Sequence, residues 1–125
     1  MITILLGEPG TGKTTEARKM TEGKSSKWFS AKDLLEHTSD LAFMNMCENS
    51  EVLVVEEVIS SDQVMELFRK IEIPQYLINL EEVILTSSEL FPVELYELLT
   101  ELFYTFKIIS LDQQHNKILH CSDSE

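Results

Sequence analysis

The sequence predicts an α/β protein built on a mainly parallel sheet, on three observations. A short apolar run at residues 2–6 leads into a glycine-rich loop and then a helix-forming stretch. Strand-like and helix-like segments then alternate along the chain, the pattern that places helices on both faces of a parallel sheet. Residues 51–56, Glu-Val-Leu-Val-Val-Glu, are apolar without alternation, as in a strand buried on both faces.

The elements follow in order. Ile2-Thr3-Ile4-Leu5-Leu6 reads as the first strand, and residues 13–21 as the first helix. Gly23-Lys24-Ser25-Ser26 is a turn, and Lys27-Trp28-Phe29-Ser30 a short second strand. Ser30 and Asp33 have the spacing of a helix N-terminal cap, which predicts a helix through Leu34 and Leu35 and on to Met46. Residues 51–56 form the third strand. Ser60 and Gln63 cap the next helix, with Val64, Leu67, Phe68 and Ile71 on one face and Pro74 as its stop. Residues 76–80 read equally as loop or as a packed segment. Residues 82–87 form the fourth strand, Pro92 opens a helix reaching Leu102, and residues 105–111 form the fifth strand. Lys117-Ile118-Leu119-His120 is able to pair back as an antiparallel hairpin after the polar turn at 112–116. Residues 1–121 are expected to form one domain and residues 122–125 a disordered tail.

Composition narrows the function. The chain has 125 residues, 43% hydrophobic, as in ordinary globular domains. No apolar run approaches the ~20 residues that span a bilayer, and the first residues lack a charged leader region. Two cysteines, Cys47 and Cys121, suggest no disulfide framework, so a reducing cytoplasm is the expected compartment. The net charge of −12 opposes a broad nucleic-acid footprint, yet leaves room for a local phosphate site. Arg18 and Arg69 are the only arginines. His115, His120 and Cys121 have poor metal-ligand spacing and read as a surface hairpin.

Gly7-Glu8-Pro9-Gly10-Thr11-Gly12-Lys13-Thr14 forms an unbroken G-x-x-x-x-G-K-[ST] run between a strand and a helix, the context that this motif requires. Its backbone N–H groups cradle phosphates, helped by the partial positive charge of the helix start, which includes Thr15. Lys13 is expected to reach the β- and γ-phosphates, and the Thr14 hydroxyl to ligate Mg²⁺. The third strand ends in Glu56 and Glu57 at the carboxyl edge of the sheet, where open α/β folds bind ligands. Glu56 is the candidate for the Mg²⁺ shell, through a water, and Glu57 for polarising an attacking water. Thr86-Ser87-Ser88-Glu89 ends the fourth strand, and Ser88 or Thr86 is placed to sense phosphate or orient water.

These residues resemble a family. Residues 7–14 are similar to the Walker A motif of P-loop NTPases, and residues 52–57 resemble a Walker B strand with an acidic pair. Residues 83–88 resemble the sensor-1 strand of AAA+ ATPases and viral superfamily 3 helicases. The resemblance spans residues 1–111 and implies a three-layer fold with a five-stranded sheet in the order 5-1-4-3-2, binding ATP–Mg²⁺. The chain departs from that pattern in four ways. Glu56 stands where Asp is usual, and Ser88 where Asn is usual. No arginine precedes the fifth strand, and no helical lid follows it. The resemblance therefore implies a minimal, lid-less ATPase core with slow hydrolysis, or a nucleotide-binding module that acts through a protein partner or a second copy. A small-molecule kinase resembling nucleoside or shikimate kinases would carry several arginines, and a GTPase would carry an Asp that Asn116-Lys117-Ile118-Leu119 lacks.

Overall fold

The computed structural model describes residues 2–72, 80–102, 105–114 and 116–121, without the side chains of 119–121. Six strands form one sheet: β1 (Ile2–Leu6), β2 (Ser26–Ser30), β3 (Val52–Glu56), β4 (Glu82–Ser87), β5 (Phe106–Leu111) and β6 (Lys117–Cys121). Their order is β2-β3-β4-β1-β5-β6. Read from β5, that is the expected 5-1-4-3-2, with β6 added antiparallel to β5 at the edge. All other pairings are parallel. The fold is mixed α/β, of the P-loop NTPase type.

Burial explains why the apolar runs take the centre. Every residue of β1 is buried, and Val52, Leu53, Val54 and Val55 of β3 are fully buried. Side chains alternate between two cores because successive residues of a strand point to opposite faces. Leu5, Val52, Val54 and Ile84 pack with Ala17 of α1 (Lys13–Met20) on one face. Ile4, Leu6, Leu53, Val55, Leu85 and Ile108 pack on the other face against α2 (Ala31–Glu36), α3 (Asp40–Cys47), α4 (Ser61–Glu72) and α5 (Pro92–Glu101). Among the described residues, α1 is thus the one helix on its face, and it is the helix that follows the glycine loop.

The helix expected from Ser30 to Met46 is two helices. The Ser30 hydroxyl accepts from the Asp33 N–H at 3.1 Å and starts α2 as expected. The Thr38 hydroxyl then donates to the Asp33 carbonyl at 3.0 Å, and the Ser39 hydroxyl accepts from the Ala42 N–H at 3.1 Å, which starts α3. Short hydroxyl side chains compete for the backbone in this way, and the competition ends one helix and begins the next. The break brings Leu34, Phe43 and Cys47 into the same core. Lys70 of α4 fastens the junction, donating to the Thr38 carbonyl and to Asp40, each at 2.8 Å.

The α4 start is capped as expected, with one displacement. The Gln63 N–H donates to the Ser60 hydroxyl at 3.2 Å, while its side-chain oxygen accepts from the Ile59 N–H at 2.8 Å, one residue further back than a regular capping box. The Pro74 stop, residues 76–79, Phe103 and Tyr104, His115, the side chains of His120 and Cys121, and the tail lie outside the described residues.

Candidate functional site

The loop between β1 and α1 is pinned at both ends. The Gly7 N–H donates to the Ser87 carbonyl of β4 at 3.2 Å, and the Glu16 N–H donates to the Gly12 carbonyl at 2.9 Å, the first helical bond. Between them Thr11 folds back on Glu8: its N–H and hydroxyl both donate to the Glu8 carbonyl, at 3.2 and 2.8 Å. Gly10 and Gly12 have φ of 88° and 92°, left-handed values that cost a residue with a Cβ ~1–2 kcal/mol. The backbone turns there to present N–H groups at the start of α1, which has no side-chain cap.

Lys13 lies across this loop. Its ammonium donates to the Gly7 carbonyl at 2.6 Å and to the Glu8 carbonyl at 3.1 Å. Burial lowers its pKa from the ordinary lysine value, because partial desolvation disfavours the charged form. A cavity of about 370 Å³ opens on Gly10, Gly12, Lys13, Thr14 and Thr15. Glu8, Pro9, Thr14 and Thr15 are exposed on the loop and at the helix start.

The acidic strand end meets this loop. The Thr14 hydroxyl donates to Glu56 Oε2 at 2.7 Å, joining the first turn of α1 to the last residue of β3. An alcohol and a carboxylate side by side are the hard-oxygen donors that Mg²⁺ accepts, while most of its remaining ligands are commonly water and phosphate. Glu56 and Thr14 therefore fit a Mg²⁺–phosphate group.

Glu57 follows with φ of 61°, the one left-handed non-glycine among the described residues. Its N–H donates to the Thr86 hydroxyl at 3.4 Å, and the next N–H, of Val58, donates to the Thr86 carbonyl at 3.0 Å. Thr86 is buried near the end of β4, so the turn that carries Glu57 is hooked to the neighbouring strand. Such strain persists where surrounding structure over-determines it, and it concentrates at functional sites. Ser88 lies one residue beyond β4 and is exposed. The hydroxyl that reaches the acidic pair's backbone is that of Thr86, while Ser87 caps the Glu89 and Leu90 N–H groups at 3.0 and 3.2 Å.

Both arginines stand away from the site. Arg18 is in the last turn of α1 and Arg69 in the last turn of α4, both exposed. Each helix starts at the carboxyl edge of the sheet, so its last turn is at the opposite edge. One contact escaped the sequence altogether: Lys117 of β6 pairs with Glu16 of α1 at 2.7 Å. No local signal could have found it, since neither residue belongs to the loop motif.

The chain matches no protein-family model and no curated protein. Among solved structures it is similar to the DnaC helicase loader, with a TM-score of 0.54 and 20% identity, covering 88% of this chain and 77% of that one. It is also similar to the replication initiator DnaA bound to AMPPCP and single-stranded DNA, with a TM-score of 0.49 and 21% identity. That match covers 88% of this chain and 40% of that one. AMPPCP-bound DnaA from Aquifex aeolicus gives a TM-score of 0.41 at 20% identity, over 77% of this chain and 37% of that one. The likeness to the loader is a likeness of fold.

Proposed function

We propose that this chain binds ATP with Mg²⁺ and hydrolyses it slowly, as a minimal AAA+-like ATPase working in the cytoplasm with a protein partner or a second copy. The observation that carries the reading is the 2.7 Å hydrogen bond between Thr14 and Glu56, which joins the phosphate loop to the acidic strand end. In this reading the loop of residues 7–15 holds the phosphates, mainly through the backbone N–H groups of residues 12–15 at the start of α1. Lys13 leaves its two carbonyl partners to stabilise charge on the transferring phosphoryl group. Thr14 and Glu56 organise the Mg²⁺, which neutralises charge on the phosphate oxygens. Glu57 polarises the attacking water, and Ser88 or Thr86, at the end of β4, orients water or senses the γ-phosphate.

The placement of Arg18 and Arg69 supports a second reading, a nucleotide-controlled binding module with negligible turnover. An arginine at the transferring phosphate contributes about 10³–10⁵ in rate, and these two stand at the far edge of the sheet.

Mg²⁺-dependent phosphate release, measured for the wild type and for Glu57→Gln alongside ATP affinity, separates the readings. The ATPase reading expects equal binding and release only by the wild type. Equal binding with release by neither protein selects the binding module. Unchanged ATP affinity in Lys13→Ala would refute both.

A further inference from the structure

A second cavity, of about 340 Å³, adjoins the phosphate cavity, and the two share Gly12 and Thr15. One wall is the start of α1, with Thr11, Gly12, Thr15, Glu16 and Lys19; the other is the β5–β6 hairpin, with Leu111 and Lys117. Its volume is within the ~300–1,000 Å³ of small-molecule sites. Glu16 is 9% exposed, unusual burial for a glutamate on an outer helix, and Lys117 holds its Oε2 at 2.7 Å. The hairpin turn also reaches the loop itself, where the Gln113 amide donates to Glu8 Oε1 at 3.4 Å.

Direction along the ligand follows from the two cavities. Thr14 lines only the phosphate cavity and carries the hydroxyl bonded to Glu56, the proposed metal end, while Gly12 and Thr15 line both cavities and mark the way into the other. A nucleoside triphosphate with its γ-phosphate at the metal end therefore leaves through that wall, and its sugar is the first group beyond it. A carboxylate offers about four acceptor positions, of which one lysine ammonium takes only part. A vicinal diol has two donors suited to the remainder, and Leu111 supplies apolar surface for a base.

We infer that this second cavity takes the nucleoside half of a ribonucleotide, with Glu16, steered by Lys117, accepting the ribose hydroxyls. The inference rests on the nucleotide-binding reading above. The β5–β6 hairpin then forms one wall of the nucleoside site.

The test is titration calorimetry of the wild type, Glu16→Gln and Lys117→Met with three ligands: ATP, 2′-deoxy-ATP and inorganic tripolyphosphate. The wild type is expected to prefer ATP over 2′-deoxy-ATP by roughly tenfold or more, the loss of one hydrogen bond to a charged group. Both variants are expected to lower that preference below about twofold, with tripolyphosphate affinity, which reads the loop alone, moving less than the ATP affinity. Equal binding of ATP and 2′-deoxy-ATP by the wild type overturns the inference. So does a loss of tripolyphosphate affinity as large as the loss for ATP in both variants, which marks the ion pair as a prop for the loop. Failure of the wild type to bind either ATP or tripolyphosphate defeats the nucleotide-binding reading itself, and the inference with it.

Discussion

Replacing Gly7 with alanine tests whether the shape of the loop is set by close packing. Its φ is not left-handed, so the backbone accepts alanine, and only space opposes it. A Cβ there would overlap the Thr11 hydroxyl and stand 2.9 Å from the Leu111 carbonyl. The hydroxyl holds the Glu8 carbonyl, and the carbonyl belongs to β5 beside the central strand, so neither gives way freely. Overpacking of this kind costs about 1–3 kcal/mol. For a chain of this length that lowers the melting temperature by about 4–12 °C. Gly10→Ala is the control with the opposite cause: nothing lies within 4 Å of its Cβ, and the whole cost, about 1–2 kcal/mol, comes from its φ of 88°. The assay is thermal unfolding of Gly7→Ala, Thr11→Ala and the double variant. Thr11→Ala alone loses its hydrogen bond to Glu8, about 1 kcal/mol. In the double variant the overlapping hydroxyl is gone, so the costs fall short of their sum by about 0.5 kcal/mol or more. The Leu111 carbonyl keeps part of the penalty in place. A Gly7→Ala protein that melts at the wild-type temperature, or a cycle with strictly additive costs, would refute the reasoning.

Three further outcomes are expected. Glu57→Gly removes the Cβ from a residue at φ 61°, so denaturant unfolding should show unchanged stability or a gain of up to about 1 kcal/mol, while phosphate release falls to background; persistent release would remove Glu57 from the mechanism. Phe43→Ala empties a fully buried site between α3 and the sheet and should cost about 3–5 kcal/mol in unfolding, with ATP affinity measured well below the melting temperature unchanged, because Phe43 packs in the core beneath α3 rather than against the loop. The Cys47 thiol is pushed up to about 11 by burial, against the lowering effect of Lys27, from an ordinary value of 9.0. The native state therefore holds more protons than the unfolded state between those two values, and stability should fall as pH rises from about 9 toward 11. Cys47→Ala should flatten that slope, and an unchanged slope would assign it to other groups.

What was legible in the sequence is what neighbouring residues decide together. The strand, loop and first helix at residues 2–20 are contiguous, so their apolar run, glycines and Lys-Thr pair carry the whole signal. The strands at 52–56 and 82–87 stand out because burial on both faces demands apolar residues in succession, whereas in 106–111 Phe106, Ile108 and Leu111 are buried and Lys107 between them is exposed. The break at Thr38 and Ser39 was less visible, because each hydroxyl is compatible with a helix until its backbone partner is known.

By itself, then, the sequence determined the alternation of elements, the phosphate loop and the acidic strand end, all encoded by short spacings. Tertiary structure alone decided what those pieces meet. It placed Glu56 against Thr14, hooked the Glu57 turn on Thr86 and laid Lys117 on Glu16. Each of these contacts joins residues far apart in the chain, and parallel crossovers set them side by side only once the sheet has formed. No spacing along the sequence records a distance that the sheet creates.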